Sequence, residues 1–360
     1  MPSKTISIIG PTYNERDNLL PFIKRVEATM GSLDWEVIFV DDNSGDGTAS
    51  EAFQLYRDDA RVRLVLRLTD RGLAKSSIQG MLSAKGDLLC VMDVDGQHDP
   101  AVILEMLARM EREGLDIVSA ARRLNEMQQQ EALSPLRNSI SRVGNKLCSL
   151  LLGRDLSDPL TGFFIIRRDA FLKVAPRLTD PGFKILLDIL SSDKTLRHGE
   201  TPFDFAPRLA GESKLDSFVV WKFLTFFLSK ATAGILSANF ISFLLVGALG
   251  LVVHLCVLYV LIALAFPFVV AQTGATLVAA TSNFFLNDIL TFRDLRLCGA
   301  AIFWGYMKFL AVSSVGIVAN ISVANVTYER LGHIVLFSTL VGVAVDAIWK
   351  FVLARRFIWK

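Results

Sequence analysis

Hydrophobic and polar positions follow one rule over the first 230 residues and another afterwards. Short, β-rich apolar runs fall at Thr5–Ile9, Glu36–Val40, Val62–Leu66, Leu88–Met92 and Asp116–Ser119, with helical stretches between them. Strands alternating with helices predict a parallel sheet covered by helices. From Ala231 to Asn287 there is no Asp, Glu, Lys or Arg. That run is too long for one membrane span of about 20 residues. It suits two, near Ile241–Leu264 and Phe268–Asn287, turning at Phe266-Pro267. Apolar runs at Phe309–Tyr328 and Leu331–Trp349 make four. The expected chain is an α/β domain over residues 1–215, an amphipathic segment over 216–236, and an all-α domain of four transmembrane helices over 237–360.

Charge divides the same way. Residues 1–230 carry 62 of the 74 charged side chains and residues 231–360 only 12. Lys214, Lys222 and Lys230 precede the first span, Arg293, Arg296 and Lys308 follow the second, and Lys350, Arg355, Arg356 and Lys360 follow the fourth. The other two turns hold only Arg330, so both termini and the α/β domain are expected on the cytoplasmic side. The N-terminal run is too short for the apolar core of a signal peptide. A net charge of +2 gives little support for a nucleic-acid partner. Four separated cysteines without a CxxC predict reduced, mostly buried thiols rather than a zinc site. Asp346 in the last span is expected to pair with Lys350 one turn on, and His254 to face the bundle. The aromatic-rich run before the first span, ending at Lys230, suits a helix on the bilayer surface.

Ligands of such sheets gather at the carboxyl ends of the strands. The first strand is followed by Pro11-Thr-Tyr-Asn-Glu-Arg16, which is not GxGxxG and disfavours a dinucleotide site. The second is followed by Asp41-Asp-Asn-Ser-Gly-Asp-Gly-Thr48 and the fourth by Asp93-Val-Asp-Gly-Gln-His-Asp-Pro100. Alone, Asp-x-Asp reads as a solvated acidic loop. Here it ends a buried strand, so Asp93 and Asp95 emerge together into the crevice. Hard oxygen ligands with open positions suit Mg2+ or Mn2+, which bind diphosphate oxygens. Gln97 offers a neutral oxygen two residues on. His98 and Asp99 are not assigned a direct catalytic role.

Taken together, these three loops resemble the nucleotide-sugar-dependent, inverting glycosyltransferases of GT-A (Rossmann-like) fold. Asp158-Pro-Leu-Thr-Gly-Phe-Phe164, Gly182-Phe-Lys-Ile-Leu-Leu187 and Arg208-Leu-Ala-Gly-Glu-Ser-Lys-Leu215 narrow the resemblance to dolichyl-phosphate and polyprenyl-phosphate mannose synthases. Phe243-Leu-Leu-Val-Gly247 and Asn283-Phe-Phe-Leu-Asn-Asp-Ile-Leu-Thr-Phe-Arg293 resemble a GtrA-type membrane domain. The resemblance implies that Pro11, Tyr13, Glu15, Val40 and Asp42 contact the nucleoside, with Met92 and Val94 in the donor pocket. It gives the metal to Asp93, Asp95 and Gln97, and the phosphates to Arg122, Arg137 and Arg208, with Ser213 and Lys214 on a closing loop. Asp95, Arg122, Arg137 and Arg208 are the implied catalytic set. Guanidinium forks match phosphate oxygens bidentately. Arg123, Arg142, Arg167 and Arg168 are read as structural. Ala210 departs from members that carry a second basic residue there.

The implied reaction moves mannose from GDP-mannose to a dolichyl or polyprenyl phosphate at the bilayer, with inversion. The nucleophile is already an anion, so it needs no strong general base. UDP-glucose is the alternative donor. A tail that also flips the lipid-linked sugar is an alternative added role. A processive polysaccharide synthase carries Gln-x-x-Arg-Trp, and none of the five tryptophans follows an arginine. The polar run Asn125–Leu133 is read as a mobile loop covering the acceptor.

Overall fold

The computed structural model describes residues 5–69, 71–123, 144, 146–178, 185–204, 217–232, 235–330 and 335–359. Arg137, Arg142, Arg208, Ser213, Lys214 and the run Asn125–Leu133 lie outside the described residues. The chain divides into two compact units, Met1–Val219 and Val220–Lys360.

Among the described residues the first unit has seven strands: β1 (Ile6–Thr12), β2 (Trp35–Asp41), β3 (Val62–Leu66), β4 (Leu88–Val91), β5 (Ile117–Arg123), β6 (Phe164–Arg167) and β7 (His198–Asp204). They form one sheet in the order β3-β2-β1-β4-β6-β5-β7. Its fully described helices include α1 (Arg16–Met30), α2 (Thr48–Asp58), α3 (Leu73–Ser83), α4 (Ala101–Glu113), α5 (Arg168–Val174) and α6 (Ile185–Ser192). The five predicted strands are present, with ends shifted by up to a few residues. β1 runs on through Pro11 because its ladder to β4 ends at Ile9, so the missing proline N–H costs no bond on that side.

The expected all-parallel sheet is a mixed one. β6 runs antiparallel to β4 and β5, with Phe164 opposite both Val91 and Ser119. Its amino end, rather than its carboxyl end, therefore lies beside the carboxyl end of β4. Close packing fixes α3 on the sheet: a Cβ at Gly80 would stand 2.9 Å from Val40 Cγ2 and overlap Ile9.

β7 is an edge strand on which Gly199, Thr201 and Phe203 are buried alternately. At its start, His198 Nε2 lies 2.8 Å from Ser119 Oγ. Burial, helped by the charges of Arg154 and Arg109, pushes the His198 pKa down to about 4. The unfolded chain protonates this histidine from pH 6.5 downward while the folded chain does not. The stabilisation is complete above that value and is lost as pH falls toward about 4. The expected loss is about 3 kcal/mol. Urea unfolding across this window should show the slope, and His198→Asn should flatten it; an unchanged slope would contradict the assignment.

The second unit contains, among the described residues, most of α7 (Ser217–Ala231) and all of α8 (Ala238–Ala263), α9 (Phe268–Leu286), α10 (Ala300–Arg330) and α11 (Val335–Phe357). Among the described residues, α8 and the stretch Phe268–Thr291 are long and apolar enough to cross a membrane. That stretch joins α9 to a π-helical turn, Asn287–Thr291. α10 covers the third apolar run, and α11 covers the fourth from Val335 onward, residues 331–334 lying outside the described residues. Ser237 caps α8, its hydroxyl accepting from Phe240 N at 3.2 Å. The turn before α9 places Ala265 at φ 61°. α7 packs on α8 through Trp221, whose Nε1 donates to Ser242 Oγ at 2.8 Å, while Thr225, Phe226 and Ser229 are buried.

The helices pair as α8 with α9 and α10 with α11. In each pair a glycine faces a polar side chain: a Cβ at Gly250 would overlap the Asn283 amide, and one at Gly316 the Asp346 carboxylate. Asp346 Oδ2 accepts from Lys350 Nζ at 2.7 Å, the pairing expected from their spacing. Trp359 is fully buried, stacked on Phe292 at 4.5 Å, with Nε1 donating to Asp288 Oδ1 at 2.9 Å. All four cysteines are free thiols. Cys90 and Cys148 are buried and Cys256 and Cys298 exposed, which corrects the expectation of a mostly buried set.

Candidate active site

The carboxyl ends of β1, β2 and β4 open onto a cleft of about 250 Å³. Pro11, Tyr13 and Glu15 line it from the first loop, Asp42 from the second, and Asp93, Val94 and Asp95 from the fourth. Seven of the residues singled out in the sequence thus share one cavity. Val40 and Met92 are fully buried and are not among its lining residues, so their side chains are away from the cleft surface.

The first two loops are tied to each other. Asn14 and Asn43 adopt left-handed backbone (φ 59° and 56°), which asparagine tolerates better than most residues. Asn14 N donates to Ser44 Oγ at 2.9 Å, and its side-chain oxygen accepts from Gly45 N at 3.2 Å. Glu15 N donates to Thr48 Oγ1 at 3.0 Å. Asp46 accepts from both Thr48 N and Thr48 Oγ1. Asp41, Ser44, Asp46 and Thr48 therefore shape the loop, and Asp42 is the carboxylate left facing the cleft.

Asp42 is itself held. Arg67 Nη1 and Ser76 Oγ donate to its Oδ1 at 2.6 and 2.7 Å, and Gly72 N to its Oδ2 at 2.7 Å. An ionised carboxylate has about four acceptor directions. Three are taken here, leaving room for one donor from a ligand. Arg71 spans the rim, donating to Tyr13 Oη at 3.1 Å and Asn43 O at 2.9 Å, with its guanidinium 5.0 Å from the Tyr13 ring centre. These residues follow β3, and their place after a third strand of the sheet is the sequence signal that points to them.

The fourth loop is braced from below. His98 is buried, stacked on Phe163 at 4.9 Å, and its Nδ1 accepts from Asp93 N at 2.9 Å. Arg25 donates to the Gly96 and His98 carbonyls at 3.1 and 3.4 Å. Gln97 is buried, and its N–H donates to Asp95 Oδ1 at 3.1 Å. The Asp93 side chain is 39% exposed. Two carboxylates on one cleft wall, one at least part-open to solvent, form a hard-oxygen donor set that fits Mg2+ or Mn2+. Among the described residues no three His, Cys, Asp or Glu side chains converge as a metal cluster. Further ligands would be neutral oxygens, substrate or water.

Antiparallel β6 carries the loop before it to this wall. Gly162 lies beside Asp93, the site of its absent Cβ 3.8 Å from Asp93 Oδ1. Asp158, buried in the same loop, receives a two-point fork from Arg122, Nε at 2.6 Å and Nη2 at 3.2 Å. Glu200 fixes that loop by accepting from Ser157 N and Asp158 N. The Asp158 hydrogen bond raises the Arg122 pKa above its ordinary value against the opposing effect of burial, and the charges of Asp158 and Asp93 add to it. Arg122 is therefore a fixed cation near Asp93. Asp158 opens one of the sequence motifs, but its partnership with Arg122 depends on the sheet topology. Arg167 and Arg168 bond backbone carbonyls, consistent with structural roles.

Residues 7–174 match the family model for glycosyl transferase family 2, and residues 242–359 that for the GtrA/DPMS transmembrane domain. The second unit is thus a transmembrane domain, and the chain a membrane protein. The dolichol-phosphate mannosyltransferase of Pyrococcus furiosus is 33% identical over 98% of this chain and 99% of its own. Proteins of the same name from Mycosarcoma maydis and Saccharomyces cerevisiae are 31% and 32% identical over 61% of this chain, and 76% and 84% of theirs. With an α/β domain carrying Asp93 and Asp95 ahead of a helical membrane domain, and a relative matching both from end to end, the chain belongs to the dolichol-phosphate mannosyltransferase family.

Proposed function

We propose that the chain transfers mannose from GDP-mannose to a dolichyl or polyprenyl phosphate at the cytoplasmic face of the membrane, giving a β-linked lipid phosphate mannose and GDP. The observation that carries this reading is the meeting of Asp42, Tyr13, Asp93 and Asp95 in one cleft at the strand ends. Asp42 has an acceptor direction free for an N–H of the base, and Tyr13 presents its ring at the rim. Asp93 and Asp95, with Gln97, would hold Mg2+ or Mn2+. When bound, the metal supplies positive charge to neutralise the departing diphosphate.

The chain's own contribution is alignment. Arg122, locked onto Asp158, offers a fixed positive charge beside Asp93 where phosphate charge gathers. Arg137, Arg208, Ser213 and Lys214 are the further phosphate contacts in this reading. A phosphate oxygen of the lipid attacks the anomeric carbon opposite the leaving group, so an α-linked donor gives a β-linked product. Proximity and orientation supply much of the rate. The membrane domain keeps the site where lipid phosphate is presented. The basic residues after the second and fourth spans favour both termini on the cytoplasmic side.

The test supplies radiolabelled GDP-mannose and, separately, UDP-glucose to the purified full chain with a short polyprenyl phosphate and Mg2+ or Mn2+. Lipid-borne label from GDP-mannose is expected. Label from UDP-glucose alone would replace the donor, and label from neither would overturn the reading.

A further inference from the structure

A second cavity of about 410 Å³ lies in the first unit, apart from the donor cleft and sharing none of its lining residues. Arg109 of α4, Arg154, and His198 at the start of β7 converge on it. Arg154 Nη1 donates to Leu196 O at 3.0 Å. Its Nε and Nη2 are buried and, among the described residues, meet no acceptor. Buried charged donors left unmet are costly, and an acceptor supplied by a bound ligand would offset that cost.

Two carboxylates also line the cavity, and neither meets this need. Glu200 is occupied by the Ser157 and Asp158 amides, at 2.9 to 3.2 Å. Asp155 is exposed to solvent. Arg109 is held by the Glu200 carbonyl and by Glu113. The local field is positive despite both carboxylates, since the charges of Arg154 and Arg109 add to burial in suppressing protonation of His198.

We propose that this cavity binds a small oxyanion of the phosphate class, with Arg154 as its principal charge partner and His198 and Ser157 on its wall. A tetrahedral dianion offers several acceptor oxygens to donors arriving from different elements, which one carboxylate cannot do. The shared chemistry is a terminal phosphate, whether free or carried as a monoester. The site is linked to the cleft by one loop: Arg154 and Ser157 lie just before Asp158, which holds Arg122.

The test follows the four histidines of the full-length protein by NMR with 13C-labelled histidine, in detergent, without donor, lipid or divalent metal. Its failure is thus separate from failure of the transferase reading. Inorganic phosphate is titrated in one arm and glycerol 3-phosphate in the other. A saturable shift of the His198 resonance, with its titration moved to higher pH, is expected. Response in both arms assigns a monoester-tolerant site, and response to inorganic phosphate alone a site for the free ion. Arg154→Gln should weaken binding by about 10- to 100-fold.

If that variant does not fold, Ser157→Asp provides the control, because Ser157 is exposed and an added carboxylate there can satisfy Arg154 internally. It should keep the unfolding temperature and lose the phosphate response. No His198 response in either arm of the unmodified protein, or an undiminished one in Ser157→Asp, would overturn the proposal.

Discussion

Asp95→Asn is expected to lower sugar transfer by about 10²- to 10³-fold while leaving the first unit folded. The substitution removes a charge and little else. Asp95 Oδ1 accepts from Gln97 N, and an asparagine oxygen can accept the same bond, so the turn survives. What is lost is half of the anionic pair that faces the cleft with Asp93. The loss should lie mainly in kcat, because the charge the pair helps to manage develops as the diphosphate departs. Mn2+ binding followed by electron paramagnetic resonance should weaken in Asp95→Asn and Asp93→Asn alike. Normal transfer with normal Mn2+ binding in both variants would remove the metal reading.

Trp359→Ala, one residue from the end of the chain, is expected to destabilise the membrane domain by about 3–5 kcal/mol. Terminal residues are ordinarily the most dispensable. Here the indole is fully buried among Phe284, Phe292 and Phe309, and its N–H meets the Asp288 carboxylate. Asp288 also accepts from Leu297 N at 3.0 Å, and Arg296 stands 3.5 Å from it. Removing the indole leaves a cavity and strips one donor from a buried carboxylate. Thermal unfolding in detergent would read the change, with Trp359→Phe retaining most of the packing but not the hydrogen bond. A midpoint unchanged in Trp359→Ala would show that the last residues contribute nothing.

β1, β2 and β4 were legible in the sequence because they are buried along their whole length, and β5 because its first five residues are. β3, an edge strand in which only Val62 is buried, was legible from its run of β-branched and apolar residues. β6 (Phe164–Arg167) was not among the predicted strands, and its antiparallel direction is a tertiary property that composition does not carry. β7 escaped because an edge strand alternates, and His198-Gly-Glu-Thr-Pro-Phe-Asp204 has no apolar run at all. The acidic side of the site was readable from loops after buried strands. Its cationic supports were less so: Arg67 and Arg71 look like surface charges until the fold brings them to Asp42 and Tyr13. Val40 illustrates the reverse, a residue carried by resemblance whose side chain is packed under α3.

Gly250 and Gly316 carry a mechanical consequence. Each forms a hole filled by a peg from the neighbouring helix, Asn283 in one hairpin and Asp346 in the other. Sliding either helix by a turn, about 5.4 Å, would withdraw the peg and press a polar group against apolar wall. Each hairpin is thereby indexed along its axis like a key in a slot. Any rearrangement of the membrane domain must move a hairpin as one piece, so the degrees of freedom left to it are rocking motions between hairpins rather than shear within them.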